Sequence, residues 1–402
     1  MNPIEKVYCR VFQTIFRIAL PIMPYREPKI MDRVEDIIPL LKEKQYTRVL
    51  LVTDRGIRGL GLTGPLETAL HENGISCYVY DETVPNPTID NVEAARELYL
   101  RENCQAIIAF GGGSSMDCAK VCGARVVKPK KPVQKMRGIL KILHKLPLLI
   151  AVPTTAGTGS ETTLAAVITD GKLHHKYPIN DFCLIPHYAV LDYRTTIGLP
   201  KSITATTGMD ALTHAVEAYI GRSTTGYTRK RAVEAVKLIH ENLKIAYADG
   251  QNKEARSNML KAAFAAGVAF TQSYVGYVHA IAHSLGGQYG TPHGLANAVI
   301  LPIALREYGD RAEKKLSCLA SKSGVITDTG LSDKETARKF IDWIQEMNDS
   351  MEIPRNISEI KEEDIPTLAD HAAKEGNPLY PVPMLMDKRA LAKWYLLIRD
   401  HK

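Results

Sequence analysis

Apolar residues along this chain follow two rhythms, and the change from one to the other falls near residue 200. Short unbroken apolar runs predict strands buried on both faces at Val49–Thr53, Ile75–Tyr80, Ala106–Phe110 and Leu148–Val152. Between them, Pro65–Glu72 and Ile89–Arg101 carry the three-and-four spacing of helices. Strands alternating with helices point to an α/β, Rossmann-like doubly wound parallel sheet, whose ligands meet the carboxyl ends of the strands. After Pro200 strand signals nearly vanish. Helical periodicities take over at Gly208–Ile220, Thr228–Ala248, Glu254–Ser273, Tyr277–Leu285, Leu295–Tyr308 and Asp333–Met347. The expected division is an N-terminal α/β dinucleotide-binding domain, 1–199, and an all-helical domain, 200–402, with the cleft between them as the site.

The first stretch, Val7–Met23, is apolar but interrupted by Arg10 and Arg17 and broken at Pro21. It is too short and too charged to span a bilayer and has no small-residue cleavage site, so neither stable membrane insertion nor a signal peptide is expected. Val11, Ile15, Ile18 and Ile22 fall on one helical face, which predicts an amphipathic helix packed on the chain's own body or on a sister subunit, with membrane-surface attachment, which Arg10 and Arg17 would favour, as the alternative.

Composition narrows the class. At 402 residues, 45% hydrophobic and 24% charged, the chain can bury two substantial cores. Seven scattered cysteines have no metal-finger spacing and suggest reduced thiols in the cytoplasm. The net charge of +7 owes much to the run Lys128, Lys130, Lys131, Lys135, Arg137, Lys141 and Lys145. That run lacks aromatic residues for base stacking, so it reads as solvated surface and no nucleic-acid partner is expected.

Candidate cofactor chemistry lies in the first half. The literal GxGxxG at Gly59–Gly64 is separated from its strand by Asp54–Arg58, whereas a dinucleotide fingerprint needs its first glycine directly off the strand. Gly111-Gly-Gly-Ser-Ser115 leaves the strand Ala106–Phe110 directly and opens a helix expected to begin at Met116 or Asp117. Its side-chain-free N–H groups, with the Ser114 and Ser115 hydroxyls, can surround a pyrophosphate. Thr154-Thr-Ala-Gly-Thr-Gly-Ser160 supplies a second hydroxyl-rich loop at the same sheet edge. Asp54, closing the first strand, suits a ribose 2′-hydroxyl and would repel a 2′-phosphate, which favours NAD with NADP possible; the blander reading is that it caps the next turn.

Metal chemistry lies in the second half. Asp210 and His214, and His279 and His283, stand four residues apart, so each pair projects from one helix face; His293 follows beside Pro292. These five are candidates for a site needing three or four protein ligands and one open position. An HExxH metallopeptidase is excluded because Ala280 stands where its glutamate belongs.

Five ordered blocks make the chain resemble the iron-containing (group III) alcohol dehydrogenases, related to glycerol dehydrogenase and dehydroquinate synthase: Val84–Thr88, Gly111–Asp117, Pro153–Glu161, Gly208–Tyr219 and His279–Gly287 running on through Pro292–Asn297. The resemblance implies that Asp210, His214, His279 and His293 hold the metal, Fe²⁺ or alternatively Zn²⁺, with His283 just off it as the catalytic proton-handling group. It implies that Asp54, Asn86, Gly112, Gly113, Ser114, Asp117, Thr154, Thr155, Thr158 and Lys176 touch NAD, and that Phe270 lines a substrate channel. The implied reaction interconverts a small alcohol and an aldehyde or ketone by hydride transfer. A homodimer or larger homo-oligomer is implied as well. The alternative is a dehydroquinate-synthase-like or glycerol-dehydrogenase-like zinc enzyme on the same scaffold.

Overall fold

The computed structural model describes residues 1–19, 23–171 and 175–400. Contacts divide the chain into two compact units, Pro24–Ile197 and Met1–Met23 with Gly198–Lys402. The N-terminal segment therefore groups with the helical unit, a correction to the expected 1–199 domain.

Among the described residues the α/β unit holds nine strands: β1 Lys29–Met31, β2 Arg48–Val52, β3 Ser76–Tyr80, β4 Ala106–Gly111, β5 Gly138–Ile139, β6 Leu148–Pro153, β7 Ala165–Asp170, β8 His175–Asn180 and β9 Tyr188–Val190. Six form a parallel sheet in the order β1-β9-β6-β4-β2-β3. Alternate residues of its central strands serve opposite faces. Leu50, Val52, Ile107, Ala109, Leu149 and Ala151 enter one buried cluster, while Val49, Leu51, Ile108, Phe110, Ile150 and Val152 enter the other. Burial on both faces is why these strands read as unbroken apolar runs.

From β2 the chain first goes outward to β3 and then returns to place β4 on the other side. The sheet's order reverses there, and the carboxyl ends of β2, β4 and β6 lead into Asp54, Gly112 and Thr154 respectively. A smaller sheet in the order β5-β8-β7 accompanies it, with β7 and β8 antiparallel. The run of basic residues lies across a 3-10 turn and β5, with Lys130, Lys135, Arg137, Lys141 and Lys145 exposed.

The helical unit is organised around Lys201–Ile220, which is buried without a break from Gly208 to Ile220. The helices Gly226–Ala248, Lys253–Ser273 and His293–Tyr308 pack on it. The helix Tyr277–Tyr289 packs in turn on His293–Tyr308 and on Ile365–Gly376. Lys201–Ile220 starts seven residues before its expected beginning, and Asp310–Lys322, Ile365–Gly376 and Lys388–Asp400 are additional.

The leading helix, Pro3–Ala19, packs with its polar side inward. Arg10 donates to the carbonyls of Val382 and Pro383 at 2.8 and 3.0 Å, and the Gln13 amide donates to Tyr380 O at 2.7 Å. Those carbonyls belong to an irregular segment whose only internal bond to them, among the described residues, is Val382 N to Tyr380 O at 2.9 Å, so most of their donors come from outside it. The expected apolar face is consequently turned outward, with Val11, Ile15 and Ile18 52, 63 and 65% exposed. Ile22, assigned to the same face from the sequence, lies outside the described residues.

Candidate active site

In the helical unit Asp210, His214, His279 and His293 come from three helices and offer one ligand atom each, all within 4.8 Å of one another. Asp210 Oδ1 lies 4.0 Å from His214 Nδ1, 3.9 Å from His279 Nε2 and 3.6 Å from His293 Nε2. Ligand atoms bound at about 2.1 Å around one tetrahedral divalent ion stand roughly 3.4 Å apart, so the set fits such an ion after small adjustments. Asp210, His214 and His279 are buried, whereas the His293 side chain is 38% exposed and leaves one side open. His279 Nε2 is buried with no hydrogen-bond partner, a cost a protein avoids unless something else satisfies the atom. Burial, followed by the neighbouring imidazoles of His214, His293 and His283, pushes the His279 pKa well below its ordinary value. The neutral ring that results is the ligating form.

Supporting contacts fix this set. Gly294 lets the helix carrying His293 approach the helix carrying Asp210, since a Cβ there would sit 2.5 Å from Thr206 O. Asn297 donates to Asp210 Oδ1 at 2.7 Å and lies 3.1 Å from His293 Nε2. Phe270 stacks on His214 with ring centres 4.1 Å apart.

His283 stands beside the cluster, stacked on His293 at 5.0 Å. Its Nδ1 is 2.6 Å from Glu375 Oε1, which also accepts from the Tyr380 hydroxyl at 2.7 Å. Burial raises the Glu375 pKa, but the charge and hydrogen bond of His283, with the Tyr380 hydrogen bond, outweigh it and leave the carboxyl below its usual value. An ionised carboxylate can only accept, so Nδ1 carries a proton whether the ring is charged or neutral, and in the neutral ring Nε2 is the proton acceptor.

In the α/β unit the expected cofactor residues gather at the sheet's carboxyl edge. The helix Gly113–Val127 begins directly after β4 and Gly112, three or four residues before its expected start at Met116 or Asp117, and no side chain caps its first N–H groups. They are left for an anion. Thr154 N donates to Gly111 O at 3.1 Å, joining the two loops. The hydroxyls of Thr154 and Thr155 are buried without partners, as a polar cradle awaiting a ligand would have them. A Cβ on Gly113 would press on Thr158 Cγ2 at 3.3 Å, so Thr158 lies directly over the loop. Asn86 N donates to Ser114 Oγ at 3.3 Å, and Asn86 Oδ1 accepts from Lys176 Nζ at 2.7 Å.

Two acids there have internal duties. Asp54 does cap the next turn, accepting from Ile57 N at 2.9 Å, while its second oxygen accepts from Ser115 Oγ at 3.4 Å. Asp117 accepts from Ser160 Oγ and Val167 N, both at 2.9 Å, and so ties the helix to the second loop. Lys120, which the sequence did not single out, completes this tie. It is fully buried and donates to Ser160 Oγ, Thr163 O and Oγ1 and Ala165 O. The glycines of the GxGxxG motif, at 59, 61 and 64, have open space at their Cβ positions, and the first of them ends a short helix, Arg55–Gly59, rather than leaving a strand.

Comparison with known proteins agrees with this geometry. The profile for iron-containing alcohol dehydrogenase matches residues 31–193, and that for the C-terminal part of the Fe-containing alcohol dehydrogenase family matches residues 204–393. The chain belongs to the iron-containing alcohol dehydrogenase family. It is 38% identical over 367 residues to the 1,3-propanediol dehydrogenase of Citrobacter freundii, covering 90% of this chain and 94% of that one. A crystal structure of 1,3-propanediol oxidoreductase superposes with a TM-score of 0.88 at 36% identity, covering 93% of this chain and 99% of the other. A sulfoacetaldehyde reductase from Bifidobacterium kashiwanohense, in complex with NAD⁺, superposes at 0.83 with 27% identity over 94% and 99%. The protein is thus an NAD-dependent, metal-dependent oxidoreductase acting on the CH–OH group of small alcohols and the corresponding aldehydes, in a family whose metal is iron. These matches do not favour the dehydroquinate-synthase-like or glycerol-dehydrogenase-like alternative. No helix among the described residues is long and apolar enough to cross a membrane.

Sequence reasoning missed Glu217 and Glu375 as partners of His279 and His283. Glu217 carried a signal, since Asp210, His214 and Glu217 at i, i+4 and i+7 share one helix face. Glu375 carried none, for it meets His283 from 92 residues away.

Proposed function

We propose that Asp210, His214, His279 and His293 hold the family's divalent metal, and that Asp54, Asn86, Gly112, Gly113, Ser114, Asp117, Thr154, Thr155, Thr158 and Lys176 form the NAD site. The substrate is a short primary alcohol or diol, or its aldehyde, as the propanediol-oxidising relatives suggest by analogy. The observation that carries the metal assignment is the convergence of four ligand atoms with a buried, partnerless His279 Nε2 among them. When bound, the metal supplies Lewis acidity at the alcohol oxygen and NAD accepts the hydride. The protein's own part is to aim the Asp210 and histidine donors at one point and to keep water from their buried side. His283, held by Glu375, takes the alcohol proton at Nε2 in oxidation and returns it in reduction. Phe270, stacked on His214, gives the substrate's carbon chain an apolar wall.

The finer points of setting follow the same reasoning. A cytoplasmic location suits seven cysteines that are all free thiols. A homodimer or larger homo-oligomer suits the outward apolar face of the leading helix, because exposed apolar side chains contiguous on one face mark a protein contact. Sedimentation of the wild type against a V11E/I15E variant separates that arrangement from a monomer.

The decisive experiment purifies the enzyme without added metal, measures its metal content, and follows NADH and NADPH absorbance across a panel of alcohols, diols and aldehydes with Fe²⁺ and Zn²⁺ supplied separately. Metal-dependent NADH formation is expected. Full turnover in metal-free protein would overturn the ligand assignment.

A further inference from the structure

We propose that Glu217 is the positioning residue of the metal centre: one buried carboxylate fixes the first turn of the helix Tyr277–Tyr289 and the tautomer of His279 together, so that Nε2 is presented to the metal. The inference rests on the ligand assignment above and adds a residue that lies outside the ligand set.

Glu217 sits on Lys201–Ile220, one turn beyond His214, and is buried. Its Oε2 accepts from Gly276 N at 2.8 Å and lies 2.6 Å from His279 Nδ1, while its Oε1 accepts from Val278 N at 2.9 Å. The first N–H groups of a helix have no partner within that helix, and this one begins after Gly276 with no side-chain cap of its own. A carboxylate from a neighbouring helix takes that place. The close fit also accounts for Gly276, where a Cβ would stand 2.6 Å from Glu217 Oε1.

The same oxygen that anchors the backbone sets the imidazole. A carboxylate that already accepts two N–H bonds is an acceptor for the ring as well, so the His279 proton belongs on Nδ1 and the lone pair on Nε2. That is the atom 3.9 Å from Asp210 Oδ1 and buried without a hydrogen-bond partner. Because Glu217, His214 and Asp210 ride on one helix, the acid that orients one ligand is rigidly tied to two others. An oriented set loses less freedom on binding an ion than a set that must assemble.

Glutamine keeps the shape of the side chain but has one acceptor and one donor. With its oxygen at the Oε2 position its NH₂ confronts the Val278 N–H. Turned over, it donates to His279 Nδ1, drives the proton to Nε2 and removes the lone pair the metal needs. Either way at least one bond is lost, and one of the two arrangements disables the ligand.

The test titrates metal-loaded wild type and Glu217→Gln with a competing chelator, using Zn²⁺ as the probe and NADH binding as the control. The expected result is a metal affinity about 10- to 100-fold weaker, as for partners of metal-bound histidines generally, with NADH affinity unchanged. An unchanged metal affinity in a folded variant overturns the proposal, and it does so without touching the ligand assignment, which His279→Ala tests. Should Glu217→Gln fail to fold, ¹⁵N-histidine NMR of metal-stripped wild type decides, with the His279 signal assigned by its loss in His279→Gln. A proton on Nδ1 is expected, and a proton on Nε2 overturns the proposal.

Discussion

The two halves of the chain build their proposed sites from different materials. In the helical unit the groups that converge are side chains, an aspartate and three imidazoles, each aimed by a neighbour such as Asn297 or Glu217. In the α/β unit the equivalent groups are largely backbone N–H at Gly112 and Gly113 and short hydroxyls at Thr154 and Thr155. A side-chain site is destroyed by removing atoms. A backbone site tolerates removal and is destroyed by adding them, because the ligand must approach the main chain closely. The two halves should therefore respond in opposite ways to the same kind of substitution.

The largest effect is expected for His279→Ala. It removes a buried member of the proposed ligand set and leaves Glu217 without its ring partner, so metal retention and turnover should be lost together, kcat/KM falling by more than the roughly 100-fold that loss of an outer partner costs. NAD binding, measured by NADH fluorescence, should be unchanged. Loss of NADH affinity in this variant would break the comparison, since the two sites would then not be separable.

His283→Ala comes next. This residue is outside the four-ligand cluster, so metal content should survive while kcat falls about 100-fold, the low end of what a positioned acid–base group supplies. Full metal content with reduced kcat separates proton handling from ligation; metal loss would place His283 among the ligands.

How far these sites could be read from the sequence follows from how they are made. The aspartate and histidines stood out because helical spacing of four puts two chelating groups on one face, a local signal that needs no tertiary knowledge. The central strands were legible because burial on both faces leaves no polar positions to break the run. The three-residue strands Lys29–Met31 and Tyr188–Val190 were not, since so short a run has no measurable period. The antiparallel pair Ala165–Asp170 and His175–Asn180 carries Pro178, and proline argues against a strand in any local reading. Lys201–Ile220 looked shorter than it is because its first two turns hold Thr204, Thr206 and Thr207, which favour helix weakly and are accommodated here because their hydroxyls are used. Thr204 accepts from Arg256, while Thr206 and Thr207 bond back to carbonyls one turn earlier. Lys120 and Glu375 were invisible because their partners are set by the fold and not by spacing.

A smaller loss, confined to the other half, is expected for Gly111→Ala. Gly111 has φ +151°, which L side chains rarely adopt, and an added Cβ would stand 2.6 Å from Ser115 Oγ at the turn that opens the cofactor loop. Strain of this kind is worth about 1–3 kcal/mol, so NADH affinity should fall by roughly 5- to 150-fold. Metal content, read by elemental analysis, should stay at the wild-type level.

The smallest effect is expected where atoms are removed from the backbone-built site. Thr155→Val keeps the volume and discards one hydroxyl that is buried and without a partner in the protein. If that hydroxyl bonds the cofactor, its loss costs one neutral hydrogen bond, about 1 kcal/mol, or roughly a fivefold rise in the KM for NAD at unchanged kcat. The free protein should gain a little thermal stability, because a buried unsatisfied hydroxyl gives way to a methyl group. The pairing of weaker NAD binding with a higher melting temperature is what a cradle built for an absent partner predicts. A hydroxyl that served only the fold would lower the melting temperature and leave KM alone, and a Thr155→Val effect exceeding that of Gly111→Ala would show that side chains, not the main chain, carry cofactor recognition in this half.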